Sequence, residues 1–329
     1  MAVKLQVARE GGERTRAKRR KPTISIVGAG RMGTALGRAL ATHGYKVEAV
    51  VAQKRTHALR AAVLISSRPL ALTTAQLDKL PSSEILLITT PDDAIEATVS
   101  RLLATMRPGR RPNVKAGSKR TALHASGACS SESLRALREV GFATGSMHPL
   151  VSVSNPMHGA ESLCSAFFCV EGEAHAKRVA RSLVADLGGE SFAISTKDKV
   201  LYHAAAVMAS GHMTALFDIA TEMLTLCGLS RRRARTVFLP LLKSTLENLY
   251  VSDPARALTG TFARADAATV RRHLRVLGVR KLNDARAVYT RLGLRSVELA
   301  RIAGGRPELL DEIVSLLKEA EASRQRGGR

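Results

Sequence analysis

The sequence predicts an α/β protein in two parts, a doubly wound, largely parallel sheet followed by an all-helical domain. Three observations carry that prediction. From Thr23 to Ile194, short apolar runs rich in β-branched residues alternate with helical stretches of about ten residues, the pattern of a parallel sheet with crossover helices. A glycine-spaced turn, Gly28-Ala29-Gly30-Arg31-Met32-Gly33, joins the first such run to the first helical stretch. After Ser195 the strand signals stop and apolar residues recur at helical spacing.

Residues 1–21 lack hydrophobic periodicity and read as a disordered basic tail. Thr23–Val27 is the first strand. The helix after the glycines runs through Leu36, Leu40 and Ala41 to His43-Gly44, where Gly44 suits a C-terminal cap. Lys46–Ala52 and Glu84–Thr90 are the next strands, the second halted by Pro91. Asp92 and Asp93 stand where a helix N-terminus favours acids, and Ile95 and Val99 continue that helix. Thr121–Ala125, Phe142–Ser146, Phe167–Val170 and Phe192–Ile194 complete the strands. Ser195-Thr196-Lys197-Asp198 resembles a capping box opening an Ala-rich helix from Lys199 to about Cys227. Later segments keep helical spacing, as at Ala285, Val288, Tyr289 and Leu292, and are punctuated by Gly228, Gly278 and Gly293. The expected division is a tail at 1–21, a sheet domain at 22–195, a helical domain at 196–322 and a second tail at 323–329.

Composition bounds the function. Of 329 residues 45 % are apolar, enough for a large core, so wholesale disorder is excluded. Lys and Arg exceed Asp and Glu by 23, a surplus that points first to nucleic acid. Aromatics are only 3 % with no Trp, however, leaving few platforms for stacking bases. The surplus is also concentrated: net +6 in residues 1–21, +6 in 107–120, +4 at Arg231, Arg232, Arg233 and Arg235, and +7 in 271–301. Everything else is electroneutral. Charge runs of this kind are usually solvated, so nucleic acid is not the expected partner. Cys129, Cys164, Cys169 and Cys227 form no CxxC pair. With no signal peptide apparent, they favour a reducing cytoplasm without structural disulfides or zinc. No stretch approaches the ~20 uninterrupted apolar residues of a membrane helix, so no membrane partner is expected.

The Gly28-x-Gly30-x-x-Gly33 spacing follows a strand and opens a helix, as dinucleotide binding requires. Gly28 permits the tight turn, Gly30 lets the backbone, with Ala29, Arg31 and Met32, approach a pyrophosphate, and Gly33 lets helix and strand pack closely. An acid roughly 20 residues on would bind the ribose hydroxyls of NAD. Here that position is the neutral Gln53, followed by Lys54 and Arg55. Two cations suit a 2′-phosphate, so the expected cofactor is NADP, with Arg31 assisting. Thr89, Thr90 and Pro91 end a later strand and should lie beside the cofactor.

The stretches ISIVGAGRMGTALGRAL, HASGACSSESLRAL, GSMHPLVS, KVLYHAAAVMAS and ALTGTFARADAATVRRHL run in order from about residue 23 to 275. Together they resemble a family of bacterial oxidoreductases in which a Rossmann-like domain precedes domain of unknown function 2520. Its wider relatives include pyrroline-5-carboxylate reductase and prephenate dehydrogenase. The resemblance implies NADP-linked hydride transfer and a homodimer formed through the helical domain, without implying a substrate. The chain departs from the family pattern at Ser210-Gly211-His212 and at Gly260-Thr261-Phe262-Ala263-Arg264-Ala265-Asp266, where Arg264 and Asp266 remain without the usual Pro and Gly.

Hydride transfer requires a proton donor and groups that fix the substrate. Lys199 and His203, four apart on one helix, share a face and resemble the catalytic Lys with a polar partner of related dehydrogenases. His148, followed by Pro149, resembles the His-Pro loop of prephenate dehydrogenases. Ser126, Gly127 and the amides of the helix start after them are candidates for a substrate carboxylate. Tyr202 reads as core. The expected function is NADP-dependent reduction or oxidation of a small ketone or imine. The alternative is a non-catalytic NADP(H) sensor whose basic tail engages a partner.

Overall fold

Four consecutive strands with fully or nearly fully buried side chains occupy the middle of the sheet, which only a sheet covered by helices on both faces permits. The computed structural model describes residues 20–66, 68–106, 119–280 and 282–326. The basic tail up to residue 19, the basic stretch 107–118 and residues 327–329 lie outside the described residues. The chain divides into two units, Met1–Val207 and Met208–Arg329.

In the first unit the strands are β1 (Ile24–Val27), β2 (Val47–Ala52), β3 (Leu70–Thr73), β4 (Ile85–Ile88), β5 (Thr121–His124), β6 (Ala143–Pro149), β7 (Phe167–Gly172) and β8 (Glu190–Ala193). Their order is β3-β2-β1-β4-β5-β6-β7-β8. All neighbours are parallel except β6 and β7. The order reverses between β1 and β4, the switch point at which open α/β sheets bind ligands. The helices are α1 (Arg31–Thr42), α2 (Arg55–Leu64), α3 (Ile95–Thr105), α4 (Arg135–Glu139), α5 (Pro156–Leu163), α6 (Ala174–Asp186) and α7 (Lys199–Val207). One core cluster, with Ile26, Leu36, Val50 and Phe168, packs under α1 and α6; another, with Val27, Leu86, Val99 and Leu137, packs under α3 and α4.

Four local expectations are corrected here. β3 is a strand that the sequence did not reveal, because its four residues LALT are too few to show alternation. Ser195 caps no amide with its side chain; instead the Thr196 hydroxyl donates to Glu171 at 2.9 Å. Residues 196–207 fall with the sheet unit rather than the helical one, tied there by Thr196 and by the buried Lys199. Arg20 and Lys21, assigned to the tail, are ion-paired to Glu84 and Asp186.

The second unit contains α8 (Met213–Thr225), α9 (Arg231–Val251), α10 (Pro254–Ala257), α11 (Ala267–Val279), α12 (Asn283–Ile302) and α13 (Pro307–Arg326). Its core lies among α11, α12 and α13, around Val270, Val297, Leu310, Ile313 and Leu317. Gly278 and Gly293 do not end helices, as the sequence led one to expect. A Cβ on Gly293 would stand 3.0 Å from Phe262 and 3.2 Å from Leu317, so its glycine serves close helix packing inside α12. The helix α13 also runs past residue 322 to Arg326. By contrast α9, 21 residues long, buries only Ala234.

Candidate active site

The turn after β1 is shaped for a bound group. Gly28 has φ +113°, and a Cβ there would fall 2.5 Å from the Thr89 backbone. A Cβ on Gly33 would fall 2.2 Å from the Gly28 carbonyl oxygen. Both positions therefore require glycine to close the turn against β4. At Gly30 a Cβ would meet nothing within 4 Å, so its backbone faces open space. The helix α1 starts on Gly30 with no capping side chain and no acid in its first turn. Its first amides are thus available to an anion, with the helix dipole behind them. Thr89 donates its hydroxyl to the Gly28 carbonyl at 2.7 Å, bracing the turn. The Thr90 hydroxyl oxygen is buried and has no hydrogen-bond partner among the described residues. These features fit a dinucleotide.

Beside this turn a cavity of about 460 Å³ is lined by Arg31, His57 and Arg60, together with Gly30, Thr34 and Asn155. No carboxylate lines it. Gln53, Lys54 and Arg55 are exposed at the start of α2, where Lys54 occupies the cap position, and they lie outside the cavity lining. The sequence pointed to Lys54 and Arg55 for a 2′-phosphate. The tertiary structure adds His57 and Arg60, one and two helical turns further on, which no motif in the sequence marks.

The register continues the site across the sheet. Ile88, His124 and Ser146 are paired in one row of β4, β5 and β6. Two residues beyond that row stand Thr90, Ser126 and His148, on the same edge as the glycine turn. His148 Nδ1 lies 2.6 Å from the Tyr202 hydroxyl. The His148 ring meets those of Tyr202 and His203 edge-on at 5.6 and 5.8 Å. Gly127 separates the two imidazoles: a Cβ there would be 2.4 Å from His203 and 2.8 Å from His148 Nε2. Burial, then the Lys199 charge, pushes the His148 imidazole down to about 4, so it is neutral near pH 7.

Lys199 is placed otherwise than its helical spacing with His203 led one to expect. It is only 1 % exposed, and its ammonium donates to the Ser126 carbonyl at 3.1 Å and the Ser146 hydroxyl at 3.0 Å. It ties the Ser126 loop to β6. Burial lowers its pKa. The expected carboxylate cradle is likewise corrected. The Ser126 hydroxyl accepts from the Ala128 and Cys129 amides at 3.2 and 2.9 Å. The Ser131 amide donates to Glu171 at 2.9 Å. Those amides are therefore already satisfied by the protein.

Two residues that the sequence did not single out hold this loop. His124 Nδ1 accepts from the Ser126 amide at 3.2 Å while Nε2 lies 3.0 Å from the Ser130 carbonyl. The imidazole is pushed down to about 4, chiefly by burial. Glu171, 4 % exposed, also accepts from the Ser131 hydroxyl at 2.7 Å. These bonds hold its carboxyl below the ordinary range despite the opposing effect of burial, which is the largest single influence. Tyr202, expected to be core, is the partner of His148. No local spacing rule joins residues 124, 148, 171 and 202, so only the folded sheet reveals their proximity. Among the described residues, no cluster of His, Cys, Asp or Glu forms a metal site.

Comparison with known proteins agrees with this architecture. The chain is similar over its length to a protein of Thermotoga maritima, at 22 % identity and TM-score 0.57, covering 92 % of this chain and 99 % of that one. A Bacteroides fragilis protein described as an NADP oxidoreductase matches at 20 % identity and TM-score 0.64, covering 85 % and 98 %. Pyrroline carboxylate reductase of Plasmodium falciparum, solved with NADP bound, matches at 12 % identity and TM-score 0.51, covering 92 % and 97 %. No curated protein matches the chain. Residues 9–149 match the Rossmann-like domain family and residues 166–296 match the domain of unknown function DUF2520. The two matches follow in the order, Rossmann-like and then DUF2520, that the glycine turn and helical second half resemble.

Proposed function

We propose that the protein is an NADP-dependent oxidoreductase acting on a small ketone or imine. The observation that carries the reading is one sheet edge bearing both an open, uncapped glycine turn and a neutral, half-buried histidine, His148. A bound nicotinamide would supply or accept the hydride. Gly28, Gly30 and Gly33 shape the pyrophosphate turn, with Thr90 offering its unpartnered hydroxyl. Arg31 and Arg60, with Lys54 and Arg55 at the start of α2, supply positive charge for the 2′-phosphate, and His57 lines the same cavity. His148 donates a hydrogen bond to the oxygen or nitrogen that gains negative charge, and His203 flanks the same space across Gly127. Lys199 acts through Ser126 and Ser146 as a positioning residue. Four free cysteines are consistent with a reducing compartment such as the cytoplasm.

The exposed apolar side chains of α9 support a homodimer through the helical unit. Leu239, Leu241, Leu249, Tyr250 and Val251 are all exposed there. The stretch Thr196–Thr225 has the length and mean hydropathy (1.2) of a membrane span. It is interrupted by Lys197, Asp198, Lys199, His203, His212, Asp218 and Glu222, which favour a protein partner over lipid.

The test is titration with NADPH and NADH, followed by a screen of keto and imino acids for NADPH oxidation. The expected result is tighter binding of NADPH and turnover of at least one compound. Tighter binding of NADH would overturn the cofactor assignment. NADPH binding without turnover across a broad panel would favour a sensor.

A further inference from the structure

We propose that Tyr202 positions His148 by donating its hydroxyl proton to Nδ1, which leaves the imidazole proton on Nε2, the nitrogen facing Gly127. The inference rests on the reading of His148 as the hydrogen-bond donor of the site and deepens it. Nothing in the helical spacing around Lys199 singles out Tyr202; the 2.6 Å contact across 54 residues of chain does.

The alternative polarity, Nδ1–H donating to the phenol oxygen, would leave the phenol proton needing an acceptor. Its neighbours do not provide a good one. Cys169, fully buried on β7, is the polar side chain grouped with Tyr202, and a thiol sulfur is a weak acceptor. Burial raises both the Cys169 thiol and the Tyr202 phenol, so each keeps its proton. A thiol that keeps its proton can donate to the phenol oxygen. The order Cys169 S–H to Tyr202 O–H to His148 Nδ1 therefore satisfies every group. The Phe192 ring, edge-on to Tyr202 at 5.9 Å, holds the phenol in place.

Burial first, and then the groups facing His148, keep the imidazole neutral, and Tyr202 decides which nitrogen carries its proton. Lys199, His203 and His124 all disfavour the imidazolium, against Asp92 alone, and burial adds to them. The Lys199 ammonium lies 5.8 Å from the centre of the Tyr202 ring. A neutral imidazole has one donor, and a tautomer with that proton on Nδ1 would present only a lone pair at Nε2. Such a group repels a developing anion, whereas the Nε2–H form stabilises it.

The experiment is nitrogen NMR of the full chain labelled at histidine, titrated from about pH 3 to about pH 8, a range that includes the His148 transition at about 4. Loss of the signal in His148→Gln assigns the resonance. The expected wild-type result is a neutral imidazole protonated at Nε2. In Tyr202→Phe, which retains the ring and its contact with Phe192, the Nε2–H to Nδ1–H ratio should fall roughly three- to tenfold, the net worth of one neutral hydrogen bond. The His148 midpoint should rise, because the lost bond favoured the neutral form. A wild-type Nδ1–H tautomer overturns the proposal, whether or not the variant folds. An unchanged ratio, or a lowered midpoint, in a folded Tyr202→Phe also overturns it. The readout needs neither cofactor nor substrate, so failure to bind NADPH would overturn the functional reading and leave this result standing.

Discussion

His124 and His148 are kept neutral by burial, and this links the site to the stability of the fold. Their ordinary value of 6.5 is pushed down to about 4 in each. The unfolded chain therefore binds more protons than the native one between those limits. Stability from these histidines is complete above pH 6.5 and is lost as pH falls toward 4, by roughly 2 kcal/mol for each at pH 5. Glu171 acts lower: its carboxyl is depressed from 4.5, so its contribution begins to fade only below that value. Urea unfolding at pH 7 and pH 5 should show a clear loss of stability at the lower pH. In His148→Gln that difference should shrink by roughly half; an unchanged difference would mean that the imidazole is not held neutral.

At the scale of the element, the strand–turn–helix unit β1–α1 separates structural glycines from the one left open for a ligand. Gly33→Ala brings a Cβ within 2.2 Å of the Gly28 carbonyl. The helix must then move away from the strand, at a cost of roughly 1–3 kcal/mol. Gly30→Ala meets nothing within 4 Å, so its stability should stay within about 1 kcal/mol of wild type. Its methyl group nevertheless enters the space needed by a pyrophosphate. Thermal unfolding and NADPH titration of the two variants should therefore diverge: Gly33→Ala is destabilised, whereas Gly30→Ala is stable but weakened at least tenfold in binding (about 1.4 kcal/mol). Retained NADPH affinity in Gly30→Ala would remove the turn from the binding site.

For the whole molecule, the distribution of apolar surface is the main consequence. The core of the helical unit is formed by α11, α12 and α13, while α9 leaves Leu241 62 % and Tyr250 90 % exposed. Isolated helices draw little stability from propensity alone and need a packed apolar face. A second copy covering α9 would supply it. Light scattering should give a dimer for the wild type, and Leu241→Glu should shift it toward monomer by placing a charge in the interface. A monomeric wild type would exclude this arrangement. The basic surplus is divided: residues 1–19 and 107–118, rich in Lys and Arg, fall outside the described residues, whereas Arg231, Arg232, Arg233 and Arg235 open α9 itself.

Much of the architecture was legible from local patterns. The glycine spacing, the buried β-branched runs and the change to helical spacing after Ser195 are short-range signals, and each is governed by backbone sterics or burial of one face. They determined the doubly wound sheet, the turn at Gly28–Gly33 and the helical second half. Short β3 escaped notice because four residues carry too little periodicity, and Gly293 was misread because its role is contact with Phe262 and Leu317, distant in sequence. The candidate site was legible only in part. His148 and His203 stood out by residue type, but pairing His148 with Tyr202 requires β6 and α7 to meet. The same folding buried Lys199 beneath Ser126 and Ser146, and turned the Ser126 hydroxyl onto its own loop. Local chain chemistry thus determined the elements and the dinucleotide turn. Which nitrogen, hydroxyl or ammonium faces the site was decided by the tertiary structure, because hydrogen bonding and desolvation act between atoms near in space, whatever their distance along the chain.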